Sequence, residues 1–234
     1  RRLADAVKGC RPLESKQAVA DTCDFVFVTT PDDAIPGVIA EVRWRAGQKV
    51  AHCSGADSLD VLEKARGDGA EVGAFHPLQT FANANHAIEN LPGSTFALEA
   101  HGEMLSTLKE MAEALGGHGV VLGPGDKVLY HAAAVMACNY MVTLVKMATD
   151  LWASFGVSSA EAIRALRPLL QGTVNNIANV GLPNCLTGPI ARGDMGTIRK
   201  HLDALQARAP EIVPIYREMG LRTIPIALQK GRIN

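Results

Sequence analysis

The chain has 234 residues, 47% of them hydrophobic, and a formal net charge of −1. That length suits two domains, and the apolar fraction can bury a core in each. The balanced charge, with no basic stripe, excludes the electrostatic footprint of a nucleic-acid or anionic-membrane binder, and five scattered cysteines without a C-x-x-C pair exclude a disulfide frame and a zinc ribbon.

The cysteine pattern predicts a cytoplasmic chain. No apolar run reads as long enough to span a bilayer, and no signal peptide is visible. The opening Arg1-Arg2-Leu3-Ala4-Asp5-Ala6-Val7 is already helical in pattern through residue 8 and starts without Met, as a chain picked up in mid-domain would. Ser15 caps a short helix to Ala20. Phe25-Val26-Phe27-Val28 is a continuous apolar run, the signature of a strand buried on both faces. A turn at Thr29–Asp33 leads into a helix to about Arg43. Lys49–Cys53 is the next strand, and Asp57 or Ser58 caps a helix to Arg66. Ala70–Phe75 is a strand ending in His76-Pro77. Strands at 95–98 and 119–122 flank a helix over 102–115.

Strands alternating with helices at this spacing predict a doubly wound parallel sheet of α/β class. After Gly123-Pro124-Gly125 no strand pattern is left. One long helix is expected over 126–155, another from Ser158 or Ser159 to Val180, a Gly/Pro-rich loop over 181–193, and helices near 194–207, 210–219 and 223–230. The domains are therefore expected at 1–123 and 124–234.

A dinucleotide-binding sheet opens with a strand and G-x-G-x-x-G, whose glycines let the backbone approach the pyrophosphate at a helix N-terminus. These 234 residues hold no such motif. The first βαβ part would fit just before Arg1, so cofactor binding is read from what remains.

Ligands in open α/β sheets gather at the carboxyl ends of strands. Thr29-Thr30-Pro31 ends one strand, where exposed backbone could meet a cofactor ribose; a plain turn with Asp32 or Asp33 as N-cap is the alternative. Ser54-Gly55 ends the next strand and His76-Pro77 the one after. A hydroxyl and an imidazole on one rim could orient a substrate oxygen and exchange a proton with it; a turn histidine locked by Pro77 is the bland reading. On the long helix, Lys127 and His131 share a face at i, i+4, with Asn139 two turns on. Polar groups on an otherwise apolar helix are costly to bury unpartnered and point to a wet cleft. Alternatively, Lys127 is a solvated first-turn residue and Asn139 an interhelical hydrogen bonder. In Leu186–Asp194, Thr187 and Arg192 could reach an anionic substrate, and Asp194 caps the following helix. His52 could go either way. His86, His101, His118 and His201 show no ligand spacing, and no metal site is expected.

Together, His76–Phe81, Tyr130–Ala134, Asn139-Tyr140, Arg167–Leu170 and Leu186–Asp194 resemble a bacterial group of Rossmann-type proteins that carry a C-terminal domain of unknown function. That group sits near the pyrroline-5-carboxylate reductases and β-hydroxyacid dehydrogenases. The resemblance covers nearly the whole chain. It implies a Rossmann-like domain followed by an all-helical domain of the 6-phosphogluconate-dehydrogenase-like kind, NADP or NAD as cofactor with NADP favoured, and a homodimer formed through the helical domain. The β-hydroxyacid dehydrogenases place a Lys and an Asn one turn apart at the start of their long helix; Lys127 is similar, while His131 stands at the Asn position. Prephenate dehydrogenases carry a Ser after one strand and His-Pro after the next, similar to Ser54 and His76-Pro77, although Leu78-Gln79-Thr80 departs from their continuation.

The resemblance therefore implies hydride transfer to or from a small, anionic hydroxy/oxo or imino substrate. His131 or His76 would be the acid/base, with Ser54 on the same rim, Lys127 and Asn139 holding the oxygen, and Thr187 and Arg192 holding the anionic group. Thr29, Thr30, Pro31, Ser54 and Gly55 would face the cofactor. A dinucleotide-binding sensor without turnover is the alternative; it has no need of a polar set on the long helix.

Overall fold

The computed structural model describes residue 4 and residues 7–233, so the helix expected over 1–8 lies largely outside the described residues. Two compact units divide between Asn139 and Tyr140.

The first unit carries five strands: β1 (Phe25–Val28), β2 (Lys49–His52), β3 (Glu71–Pro77), β4 (Thr95–Glu99) and β5 (His118–Val121), side by side in that order. Its helices are α1 (Lys16–Thr22), α2 (Ile35–Glu41), α3 (Glu63–Gly67), α4 (Ala84–Asn90), α5 (Gly102–Ala114) and α6 (Asp126–Ala137). The Ser15 hydroxyl accepts from the Ala18 amide, which fixes the start of α1 as its sequence predicts. β1–β2, β2–β3 and β4–β5 pair in parallel.

β3 and β4 pair antiparallel, which corrects the all-parallel expectation. The cause is local. A parallel crossover needs a helix that lies on the sheet, yet Ile88, the one large apolar residue of α4, is 71% exposed. With no apolar face to dock, the chain turns straight back, and the Leu78 amide donates to the Thr95 carbonyl at 2.8 Å. α5 does have such a face in Met104, Leu108 and Ala112, and it carries the chain from β4 to a parallel β5.

Alternation along the strands splits the core into two faces. Val26, Val28 and Val50 pack with Ile35, Ile39, Trp44 and Leu62 on one. Ala51, Phe75, Phe96 and Leu98 pack with α5 on the other. There Gly73 admits α5 closely: a Cβ would lie 2.8 Å from the Met104 side chain and 2.9 Å from that of Leu108.

The second unit is helical: α7 (Asn139–Ala153, whose first residue belongs to the first unit), α8 (Ser159–Val180), α9 (Met195–Arg208) and α10 (Val213–Gln229). Ser158 and Glu161 form a capping box on α8, and Asp194 caps α9. Two expectations are corrected here. The single helix predicted over 126–155 breaks at Cys138, whose backbone leaves the helical region (φ −111°, ψ −67°) while its amide still bonds to Ala134. The two helices predicted over 210–219 and 223–230 are one, running through Pro225.

The expected domain boundary at 123/124 precedes the observed division at 139/140 by the length of α6. That helix sits with the sheet because its polar face inserts into the sheet's rim, as described below. The expectation that no apolar run could span a bilayer is also corrected. Across the two helices that meet at Cys138, the span Asp126–Ala153 holds an 18-residue window of mean hydropathy 1.5, enough by length and composition alone.

Candidate active site

Strand register builds the site. Val28 pairs with His52, His52 with Ala74, and Ala74 with Glu99. Cross-strand partners project from the same face, so His52 and Glu99 flank a small Ala74, with His76 one step further along. Ala74 leaves room between them, and α6 fills it. Lys127, Tyr130 and His131 stand at i, i+3 and i+4, one stripe of that helix.

Lys127 goes deepest. It is 2% exposed, and its Nζ lies 3.1 Å from Oε2 of Glu99, itself 8% exposed. Neither atom makes a well-directed hydrogen bond. Burial holds the Lys127 ammonium below its ordinary pKa, while Glu99 pulls it back up. The alternative of Lys127 as a solvated first-turn residue is corrected by this burial: it ties α6 to β4 and sets a positive charge beneath the rim.

His52 is fully buried. Its Nδ1 accepts from the Ser54 amide at 3.2 Å, so its proton sits on Nε2, which has no partner. Burial, then the Lys127 charge, pushes its pKa down to about 4. Burial likewise raises the Cys53 thiol to about 11.

Ser54 is 3% exposed. Its hydroxyl donates to Asp32 at 2.8 Å and accepts from the Asp57 amide at 3.0 Å and the Ala56 amide at 3.3 Å. These bonds join the loops after β1 and β2, so Ser54 also organises the rim on which its part in proton exchange is expected. Asp32, read only as a turn residue, is its partner.

His76 and His131 meet beside Gly55. A Cβ on Gly55 would lie 2.4 Å from His131 Nδ1 and 2.9 Å from His76 Nε2. The two rings stand edge to face, centroids 5.8 Å apart. His131 Nδ1 is buried and unpartnered. His76 Nδ1 lies 2.9 Å from the Tyr130 hydroxyl. Burial, then His131 and Lys127, pushes the His76 pKa down to about 4, and burial raises Tyr130 to about 12. Tyr130 has no role in the sequence-based expectations; its i+3 spacing from Lys127 is the signal that places it on the same stripe.

Beside these rings opens a cavity of about 600 Å³. His76, Tyr130 and His131 line its polar wall. Leu78, Phe81 and Val135 line its apolar side, with Asn139 at one end. No Lys or Arg is among its described lining residues. Thr29, Thr30 and Pro31 are exposed at the end of β1. Thr187 and Arg192 belong to the helical unit: Arg192 is exposed in a 3-10 turn, and Thr187 lines a cavity of about 280 Å³ with His201 and Tyr216. No group of three or more His, Cys, Asp or Glu suited to a metal occurs among the described residues.

The residues present fit the nicotinamide end of a dinucleotide. Gly55 lets two imidazoles pack closely on the backbone at the carboxyl ends of parallel strands, the rim at which a nicotinamide would be held. The phosphate-binding glycine motif is not within these residues.

Comparison with known proteins agrees with this architecture. Residues 94–223 match the family described as a domain of unknown function, DUF2520. Protein TM1727 from Thermotoga maritima superposes with a TM-score of 0.76 at 26% identity, over 88% of this chain and 79% of that one. A candidate NADP oxidoreductase, BF3122 from Bacteroides fragilis, gives 0.68 at 21% identity, over 88% and 78%. Pyrroline carboxylate reductase from Plasmodium falciparum with NADP bound gives 0.62 at 14% identity, over 94% and 80%. No curated protein matches the chain. The fold is that of the pyrroline-5-carboxylate reductases: a mostly parallel five-stranded sheet followed by a long helical region.

Proposed function

The chain belongs to the DUF2520 family, and on that footing we propose that it is an NAD(P)-dependent oxidoreductase, NADP favoured, acting on a small carbonyl or imine and its reduced counterpart. The observation that carries this is the pair of imidazoles, His76 and His131, packed over Gly55 and lining a cavity of about 600 Å³. Similarity to NADP-dependent oxidoreductases supports it. When bound, the nicotinamide supplies or accepts hydride. Thr29, Thr30, Pro31 and Gly55 would hold its end of the dinucleotide. His131 and His76 hold a substrate oxygen or nitrogen, and one of the two imidazoles exchanges a proton with it. The apolar wall of Leu78, Phe81 and Val135 excludes water and seats the carbon skeleton. Thr187 and Arg192 remain the candidates for an anionic group on the substrate.

The test is a fluorescence titration of the complete gene product with NADPH and NADH, followed by turnover on a panel of small ketones and cyclic imines. NADPH should bind more tightly and be consumed. His131→Ala should lower kcat by about 100-fold or more, as loss of an acid/base does. Failure of both dinucleotides to bind would remove the assignment; binding without turnover would leave a sensor.

We further propose that a second copy of the chain covers the helical unit. Val142 (66% exposed) on α7 and Leu169 (66%) on α8 are among many large apolar side chains that the helical unit leaves exposed. Asn139 and the exposed Lys146–Asp150 ion pair on α7, with the break at Cys138, suit a protein partner better than lipid. Sedimentation equilibrium should show a dimer. Val142→Glu with Leu169→Glu should give folded monomers; an unchanged mass would refute this interface.

A further inference from the structure

The phenol of Tyr130 meets His76 edge-on, ring centroids 5.7 Å apart and planes at 86°, with the hydroxyl 2.9 Å from Nδ1. A neutral phenol is the stronger donor of the pair and imidazole nitrogen the stronger acceptor, so O–H donates and Nδ1 accepts. The His76 proton is then confined to Nε2. Nε2 lies over Gly55, 2.9 Å from where a Cβ would stand, on a ring that lines the cavity of about 600 Å³.

We propose that Tyr130 is a positioning residue: it locks His76 as the neutral tautomer whose Nε2–H points at the substrate oxygen or nitrogen. His76 then polarises that atom by donating a hydrogen bond, and His131 is left as the group that exchanges the proton. This divides two roles that the sequence leaves interchangeable, and it rests on the oxidoreductase reading for the identity of the ligand. Burial supports it from both sides, keeping the imidazole uncharged and the phenol protonated at neutral pH. The groups facing His76 are Tyr130 and His131 from α6, with the Lys127 and Asp32 charges acting from further off. A neutral donor is what a carbonyl or imine needs when no Lys or Arg lines the cavity.

The test uses long-range proton–nitrogen NMR on the complete gene product with 15N-histidine, His76 being assigned through His76→Gln. At pH 7 the wild type should show an unprotonated Nδ1 shifted by an accepted hydrogen bond, and a protonated Nε2. In Tyr130→Phe the Nδ1 signal should move to the position of an unbonded nitrogen, with the melting curve retained. Turnover in the same variant should lose about 10- to 100-fold in kcat with KM little changed, the cost of a misplaced group. A protonated Nδ1 in the wild type, an Nδ1 signal unmoved in Tyr130→Phe, or an unchanged kcat would each overturn the assignment. If dinucleotide neither binds nor turns over while the Nδ1 signal moves as expected, the tautomer lock stands and the oxidoreductase reading falls.

Discussion

Lys127→Met should destabilise the sheet unit by about 3–5 kcal/mol, because it strands the buried Glu99 carboxylate without its counter-charge. Lys127 is 2% and Glu99 8% exposed, so water cannot take over the lost contact. Glu99→Leu alone should cost a similar amount by stranding the ammonium. The two together should recover most of the loss, since well-packed apolar residues often replace a buried pair at no cost or with a gain of about 1–4 kcal/mol. The reading is a double-mutant cycle in urea, followed by the fluorescence of Trp44, buried in the sheet unit, in a Trp152→Phe background. Additive single and double effects would mean that the pair is not coupled.

The same ion pair shows where sequence reading stops. The short apolar runs at β1 and β2, the caps at Ser15, Ser158 and Asp194, and the rim placement of His76 follow from local chemistry, and local chemistry is written in adjacent residues. The partner of Lys127 is not. Glu99 reaches it because β4 runs antiparallel to β3, which brings Glu99 level with Ala74 and His52. Strand direction depends on whether the intervening helix can dock, and α4 cannot, for want of an apolar face beyond Ile88. The spacing of Lys127 and His131 was visible, and the structure adds Tyr130 to that stripe and turns the lysine inward. Ser54 is legible in part in a related way: a serine at a strand end is equally suited to chemistry and to tying loops, and its tie to Asp32, 22 residues away in sequence, is not written locally. The break at Cys138 had no local marker such as Gly or Pro.

Gly55→Ala tests the centre of the site with one methyl group. The backbone of Gly55 lies outside the left-handed region, so alanine meets no conformational penalty there and the whole effect is steric. The new Cβ would stand 2.4 Å from His131 Nδ1 and 2.8 Å from its Cε1, and 2.9 Å from His76 Nε2. Van der Waals contact requires the His131 ring to retreat by about 1 Å and the His76 ring by about half that, and overpacking of this kind costs about 1–3 kcal/mol. A retreat of that size in reacting groups costs about 100-fold in rate. Gly37→Ala on α2 is the control: nothing lies within 4 Å of its Cβ, and it should be neutral or stabilise by up to about 1 kcal/mol. Gly55→Ala with His131→Ala should recover the stability, because the second change vacates the space the first one fills, and should not recover turnover. Thermal melting separates the two effects. If Gly55→Ala loses stability and keeps wild-type kcat, the convergence of His76 and His131 is packing alone and the reaction lies elsewhere. If kcat falls while the double variant melts like wild type, the placement of the His76 and His131 rings over Gly55 is what turnover requires.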